Sequence, residues 1–170
     1  MKKAIMVLAL TLLAACVWAD STIVEKWSVY KGAWFEILYP GNFWEKPSLK
    51  DRNNPAKYSS VFFVAPEGNV EFYVMAPKYG MEPVDIALSQ EQEIVVAESK
   101  KNERGLIFKD TTICAKDGSY MRLIEDYTDT TGPNTYTRRT FSIKYKNQKV
   151  FNEYRAVYEM FKNSLMKRAF

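Results

Sequence analysis

The stretch TYTRRTFSIKYKNQKVFNEYRAVYEMFKNSLM, residues 135–166, reads as a strand followed by a helix. Residues 135–145 bring Thr, Tyr, Phe and Ile into near alternation, which suits a pleated, half-buried strand. Asn147 offers a side-chain oxygen to cap the helix that follows. Val150, Phe151, Tyr154, Val157, Tyr158, Phe161 and Leu165 then recur at spacings of 1, 3, 3, 1, 3 and 4, one apolar stripe along about five turns. Lys149, Asn152, Glu153, Arg155, Glu159, Lys162 and Asn163 fall on the other side, toward water. A stripe this rich in aromatic rings needs a sheet or a second helix to cover it.

The chain upstream supplies strands. Residues 23–31 alternate loosely. Residues 34–39 place Trp34 and Leu38 on one face and Phe35, Ile37 and Tyr39 on the other, and Pro40-Gly41-Asn42 ends the run. Residues 58–65 carry four consecutive apolar residues, Val61 to Val64, so both faces of that strand are expected to be buried. Pro66-Glu67-Gly68-Asn69 turns the chain into a returning strand at 70–76. Glu82-Pro83 is expected to open a helix whose apolar face is Val84, Ala87, Leu88, Ile94 and Val95 and which ends around 98–102. Three further strands, 104–115, 119–129 and 135–145, are separated by turn-forming residues. Short turns between neighbours imply antiparallel pairing. The predicted class is therefore α+β, a mainly antiparallel sheet of about six or seven strands packed with two main helices.

The N-terminus reads as an export signal. Lys2 and Lys3 precede an uncharged run at 4–15, too short to cross a bilayer and of the length of a signal h-region. Leu13-Ala14-Ala15-Cys16 has the form of a bacterial lipobox, with Cys16 lipidated. Val17-Trp18-Ala19 has the form of an ordinary cleavage site before Asp20. The expected organisation is a signal peptide at 1–19, or 1–15 if cleavage precedes Cys16, and a single domain at 20–170.

From Asp20 onward 22 basic residues stand against 20 acidic ones, too even a balance to argue for nucleic acid or an acidic membrane surface. The chain contains no histidine, which excludes His-dependent triads and His-ligated zinc or haem. No cofactor is expected. Cys114, in an apolar run, is expected to be buried and inert.

The layout resembles the Mog1/PsbP-like α/β/α sandwich. The resemblance rests on the segment Trp34-Phe35-Glu36-Ile37-Leu38-Tyr39-Pro40-Gly41-Asn42-Phe43-Trp44, on a middle helix around Ala87, and on an aromatic helix ending Phe161-Lys162-Asn163-Ser164-Leu165-Met166. It implies a fold shared by several exported bacterial proteins and lipoproteins. The histidine-containing metal sites of the photosystem members have no counterpart here, and fold does not imply function.

Few residues point to chemistry. Glu125, Asp126 and Asp129 are oxygen ligands in principle, but Glu125 and Asp126 point to opposite faces of a strand. Arg139 shares a face with Phe141, Ile143 and Tyr145 next to Arg138. It is expected to be partly buried, either in an ion pair with Glu125 or Asp126 or as an anion-binding arginine in a cleft. Trp34 and Trp44 are candidate pocket or partner-surface residues. The loop at 50–54 reads as solvated, with partner docking as the alternative. No nucleophile motif or phosphate loop is present. The expected function is a non-enzymatic exported envelope protein, periplasmic or lipid-anchored, acting as an accessory or assembly subunit on an envelope protein partner. The alternative is a periplasmic binder of a small apolar ligand in an aromatic pocket.

Overall fold

A computed structural model describes residues 24, 26–132 and 136–167. The expected signal peptide, the lipidation at Cys16, the start of the first strand at Ile23 and the Pro133-Asn134 turn lie outside the described residues. The strands in chain order are β1 (Trp27–Lys31), β2 (Phe35–Pro40), β3 (Trp44–Pro47), β4 (Ser60–Val64), β5 (Val70–Met75), β6 (Glu93–Glu103), β7 (Leu106–Ala115), β8 (Met121–Asp129) and β9 (Thr137–Tyr145). Helix α1 (Gln148–Asn163) and β10 (Met166–Lys167) close the chain.

The main sheet has seven strands in the order β3-β4-β5-β9-β8-β7-β6, and β1-β2-β10 form a second, smaller sheet. Every pairing in both is antiparallel. The centre of the main sheet is where the apolar runs predict it. Register sets Phe72 opposite both Phe63 and Ile143, and Ile143 opposite Leu123. These side chains share the face that α1 covers.

Asn147 caps α1 as its chemistry suggests, its Oδ1 accepting from the Val150 N–H at 3.0 Å. Val150, Tyr154, Tyr158 and Phe161 are buried. Phe151, Val157 and Leu165 pack at the margin of the same core. The small sheet adds Tyr30, Phe35, Ile37 and Tyr39 from its inner side. Phe35, Ile37 and Tyr39 are inward and Leu38 outward, as the alternation requires.

The second helix is absent. The chain at 82–102 forms a single 3-10 turn at Val84–Ile86 and then β6. Ala87 sits in extended backbone, with φ −55° and ψ 150°. The helical reading needed one apolar stripe to run from Leu88 to Ile94, across five polar residues. The β-branched Ile94 and Val95 instead pair with β7, and Val96 forms a bulge. Among the described residues α1 is the one long helix, so the two-helix expectation is corrected to one. Three smaller departures follow from tertiary pairing. Trp44–Pro47 is an edge strand on β4. The helix stops at Asn163, and Met166 and Lys167 then pair with Glu36 and Phe35. Asp51, in the loop read as solvated, is 5% exposed.

Candidate functional site

The sheet face away from α1 carries a small apolar cluster of Tyr73, Met75 and Ile86 with Phe62 and Ile124, ringed by paired polar side chains. The segment that crosses it is tied down by four side chains. Arg122 donates to both Glu93 carboxylate oxygens, at 2.8 and 2.7 Å, and to the carbonyls of Ile86 and Ala87. Asp85 accepts from Ser60 Oγ and Tyr73 Oη, each at 2.7 Å. Arg138 Nε and Nη2 grip the two Asp126 oxygens at 2.7 and 2.6 Å, and its Nη1 pairs with Glu82. Thr140 Oγ1 adds a bond to Asp126. Glu71, Tyr73, Asp85 and Lys144 line one cleft of about 240 Å³ there. Burial and then Asp85 push the Tyr73 hydroxyl far up, so it stays a protonated donor. Glu71 is held above its usual value by burial, which Lys144, Lys46 and Arg122 only partly offset. The set is arranged to hold the crossing segment in place.

The expected pocket residues do not converge. Trp34 Nε1 donates to Asp51 Oδ2 at 2.6 Å, and Lys78 Nζ lies 4.8 Å above its ring. Trp44 is 63% exposed on the edge strand β3. Cys114 is half-buried, its thiol facing the Ala115 carbonyl at 3.3 Å.

Arg138 and Arg139 part company across the sheet. Asp126 is taken by Arg138, and Glu125, on the helix side, is taken by Lys162 at 2.6 and 2.9 Å. The expected ion pair of Arg139 with one of these acids is thus replaced by a stacking contact. Its guanidinium carbon lies 4.1 Å from the centre of the Tyr127 ring. Register explains the placement. Phe108, Tyr127 and Arg139 form one cross-strand row, and Asp110, Glu125 and Phe141 form the next on the same face.

These two rows, with Glu159, Lys162 and Leu165, wall a cleft of about 360 Å³ beside the C-terminal end of α1. Phe108 meets Tyr127 edge-on at 4.1 Å. Lys162 also holds Glu159 at 3.0 Å, so one ammonium serves two carboxylates. The Tyr158 hydroxyl is buried without a hydrogen-bond partner among the described residues. Burial and then Glu125 raise its pKa well above the usual range. Lys167 is held below its usual value by burial and then by Arg139, against the pull of Asp129. Sequence reasoning placed Arg139 on this face but missed Phe108, Tyr127 and Lys162, because a strand row needs the register to assemble it. Near the 50–54 loop, one legible signal went unused. The spacing Asp51, Asn53, Asn54 is that of an Asx turn, and Asp51 Oδ1 does accept from both amides, at 2.9 and 2.8 Å.

No protein-family model matches the chain. No curated protein matches its sequence. Among solved structures the chain is similar to cyanobacterial PsbP (CyanoP) from Synechocystis, at 12% identity over 92% of this chain and 99% of that one, with a TM-score of 0.49. It is similar also to the Ran-binding protein Mog1p of Saccharomyces cerevisiae, at 8% identity over 84% of this chain and 95% of that one, with a TM-score of 0.42. The likeness is one of fold. No helix among the described residues is long and apolar enough to cross a membrane.

Proposed function

We propose that the chain is an exported, non-enzymatic envelope protein that works as an accessory or assembly subunit through protein contacts. One observation carries this reading. Strand β6 is the outer edge of the main sheet, and ten of its eleven residues are exposed. Its outward N–H and C=O groups form a template for an added strand. Ile94, Val95 and Val96 are 47%, 45% and 50% exposed at the start of it. Lys100, Lys101 and a bulge between Val95 and Ala97 discourage indiscriminate pairing and leave a selective edge. Export rests on the basic start, the apolar run at 4–15 and the two cleavage patterns.

Photo-cross-linkers placed at Val95 and Lys101 in native envelopes are expected to trap one stoichiometric protein partner. The same group at Arg155, on the outer side of α1, is expected to trap none. Equal labelling from both surfaces, or no adduct from β6, overturns the docking role. The mass of the protein from its own cells tests export separately. A start at Cys16 with acyl chains or at Asp20 agrees with it, whereas an intact Met1 start refutes it.

A further inference from the structure

We infer that the cleft beside the end of α1 binds a small organic acid with an apolar or aromatic body, its carboxylate received by Arg139. Among the described residues, pairing leaves this arginine over. Both neighbouring strand acids are engaged elsewhere, Asp126 by Arg138 and Glu125 by Lys162. No described residue accepts a hydrogen bond from or forms an ion pair with the Arg139 guanidinium, which rests on Tyr127. Stacking engages the flat face of the group and leaves its in-plane N–H edges open, the geometry that grips a carboxylate with two parallel bonds. A half-buried cation with five donors and no acceptor among the described residues calls for one.

The surroundings select the ligand. Phe108, Tyr127, Phe141 and Leu165 give apolar walls around that end. Lys167, exposed on β10, feels both Arg139 and Asp129 but is not part of the cleft wall, which leaves Arg139 to receive the carboxylate. Lys162 balances only one of the two carboxylates it holds, Glu125 and Glu159, so that trio keeps one net negative charge. Asp110, held by Ser99 at 3.4 Å, is exposed and carries uncompensated charge. A phosphate dianion therefore meets more repulsion than a monocarboxylate does. A volume of about 360 Å³ is at the small end for ligand pockets and suits one ring with a short acid arm. The acid site stands independently of the docking role of β6.

The test uses the mature chain with 3-phenylpropanoate, its amide and phenyl phosphate, followed by calorimetry and by amide shifts at Phe108, Tyr127, Arg139 and Phe141. The acid is expected to bind with a dissociation constant of about 0.1–1 mM, and the amide and phosphate about tenfold more weakly or worse. Arg139→Gln is expected to weaken the acid about tenfold or more at an unchanged thermal midpoint, and Asp110→Asn to tighten it. Should the glutamine variant fail to fold, Arg139→Lys decides, since it keeps the charge and loses the two-pronged geometry, and must still weaken the acid. Equal binding of acid and amide, wild-type affinity in a folded Arg139 variant, shifts elsewhere on the molecule, or no binding of the acid up to about 10 mM each overturns the inference.

Discussion

Asp51 shows how much one side chain organises. Its two oxygens accept from Trp34 Nε1, Ser59 Oγ and the amides of Asn53 and Asn54. Burial pulls its carboxyl up, but these donors outweigh burial and leave it below its ordinary value. The depressed value means that its stabilisation is complete above the unfolded value, about pH 4, and is lost as the pH falls through the folded one. Asp51→Ala is expected to cost about 2–3 kcal/mol at pH 7 in urea titrations, and the gap to wild type is expected to shrink below about pH 4. Glu71 has the opposite sign. Its folded value is raised, so its charge opposes folding at neutral pH, and the cost is absent below about pH 4. Glu71→Gln is expected to raise the thermal midpoint at pH 7 by about 1–3 °C, with no gain in acid. At this scale the sequence was partly legible. Asparagines two and three residues after an aspartate announce a turn, whereas nothing local says that Ser59 and Trp34 complete it.

The elements divide by whether their partners are near in sequence. Helix α1 was legible because its stripe and its cap are local. The 82–102 segment was misread because its character is decided from a distance, by Arg122 holding the carbonyls of Ile86 and Ala87 and by β7 pairing with Ile94 and Val95. Strands β6 and β7 meet through Arg104 and Gly105, both with positive φ, 52° and 86°. That is the backbone of a two-residue hairpin turn, for which asparagine is a better first residue than arginine. Arg104→Asn is expected to stabilise by a few tenths of a kcal/mol, about 0.3–0.5, in chemical denaturation. Hydrogen exchange is expected to rank the strands, with β5 and β9 amides most protected and the outward β6 amides exchanging fastest. Slow exchange along β6 in the isolated protein would contradict its free edge.

Across the whole molecule, one aromatic cluster joins both sheets to the helix. Phe72 lies 5.3 Å, ring to ring, from each of Phe43, Tyr158 and Phe161, while Phe63 stacks on Tyr39 of the small sheet at 4.4 Å and meets Phe161 at 5.6 Å. Phe72→Ala is expected to cost about 3–5 kcal/mol, with both sheets lost in one transition. On the other face, Arg122→Gln leaves the buried Glu93 carboxylate without its cation, though Tyr120 and the Ser89 amide still donate to it, at an expected cost of about 3–5 kcal/mol. A paired apolar replacement at 93 and 122 is expected to recover much of it if the pair is structural.

By itself the sequence determined the strands at the sheet centre, their antiparallel hairpins, the capped aromatic helix and the inward face of β2. Each of these follows from the spacing of residues within one segment and the turn chemistry between neighbours. Only the tertiary structure decided that the middle segment is a strand, that Trp34 and Trp44 lie apart, that Asp51 is a buried hub and that no described acid pairs with Arg139. These outcomes depend on register and on competition for partners. Arg138 and Lys162 reach Asp126 and Glu125 first, across distances in sequence that no local pattern encodes.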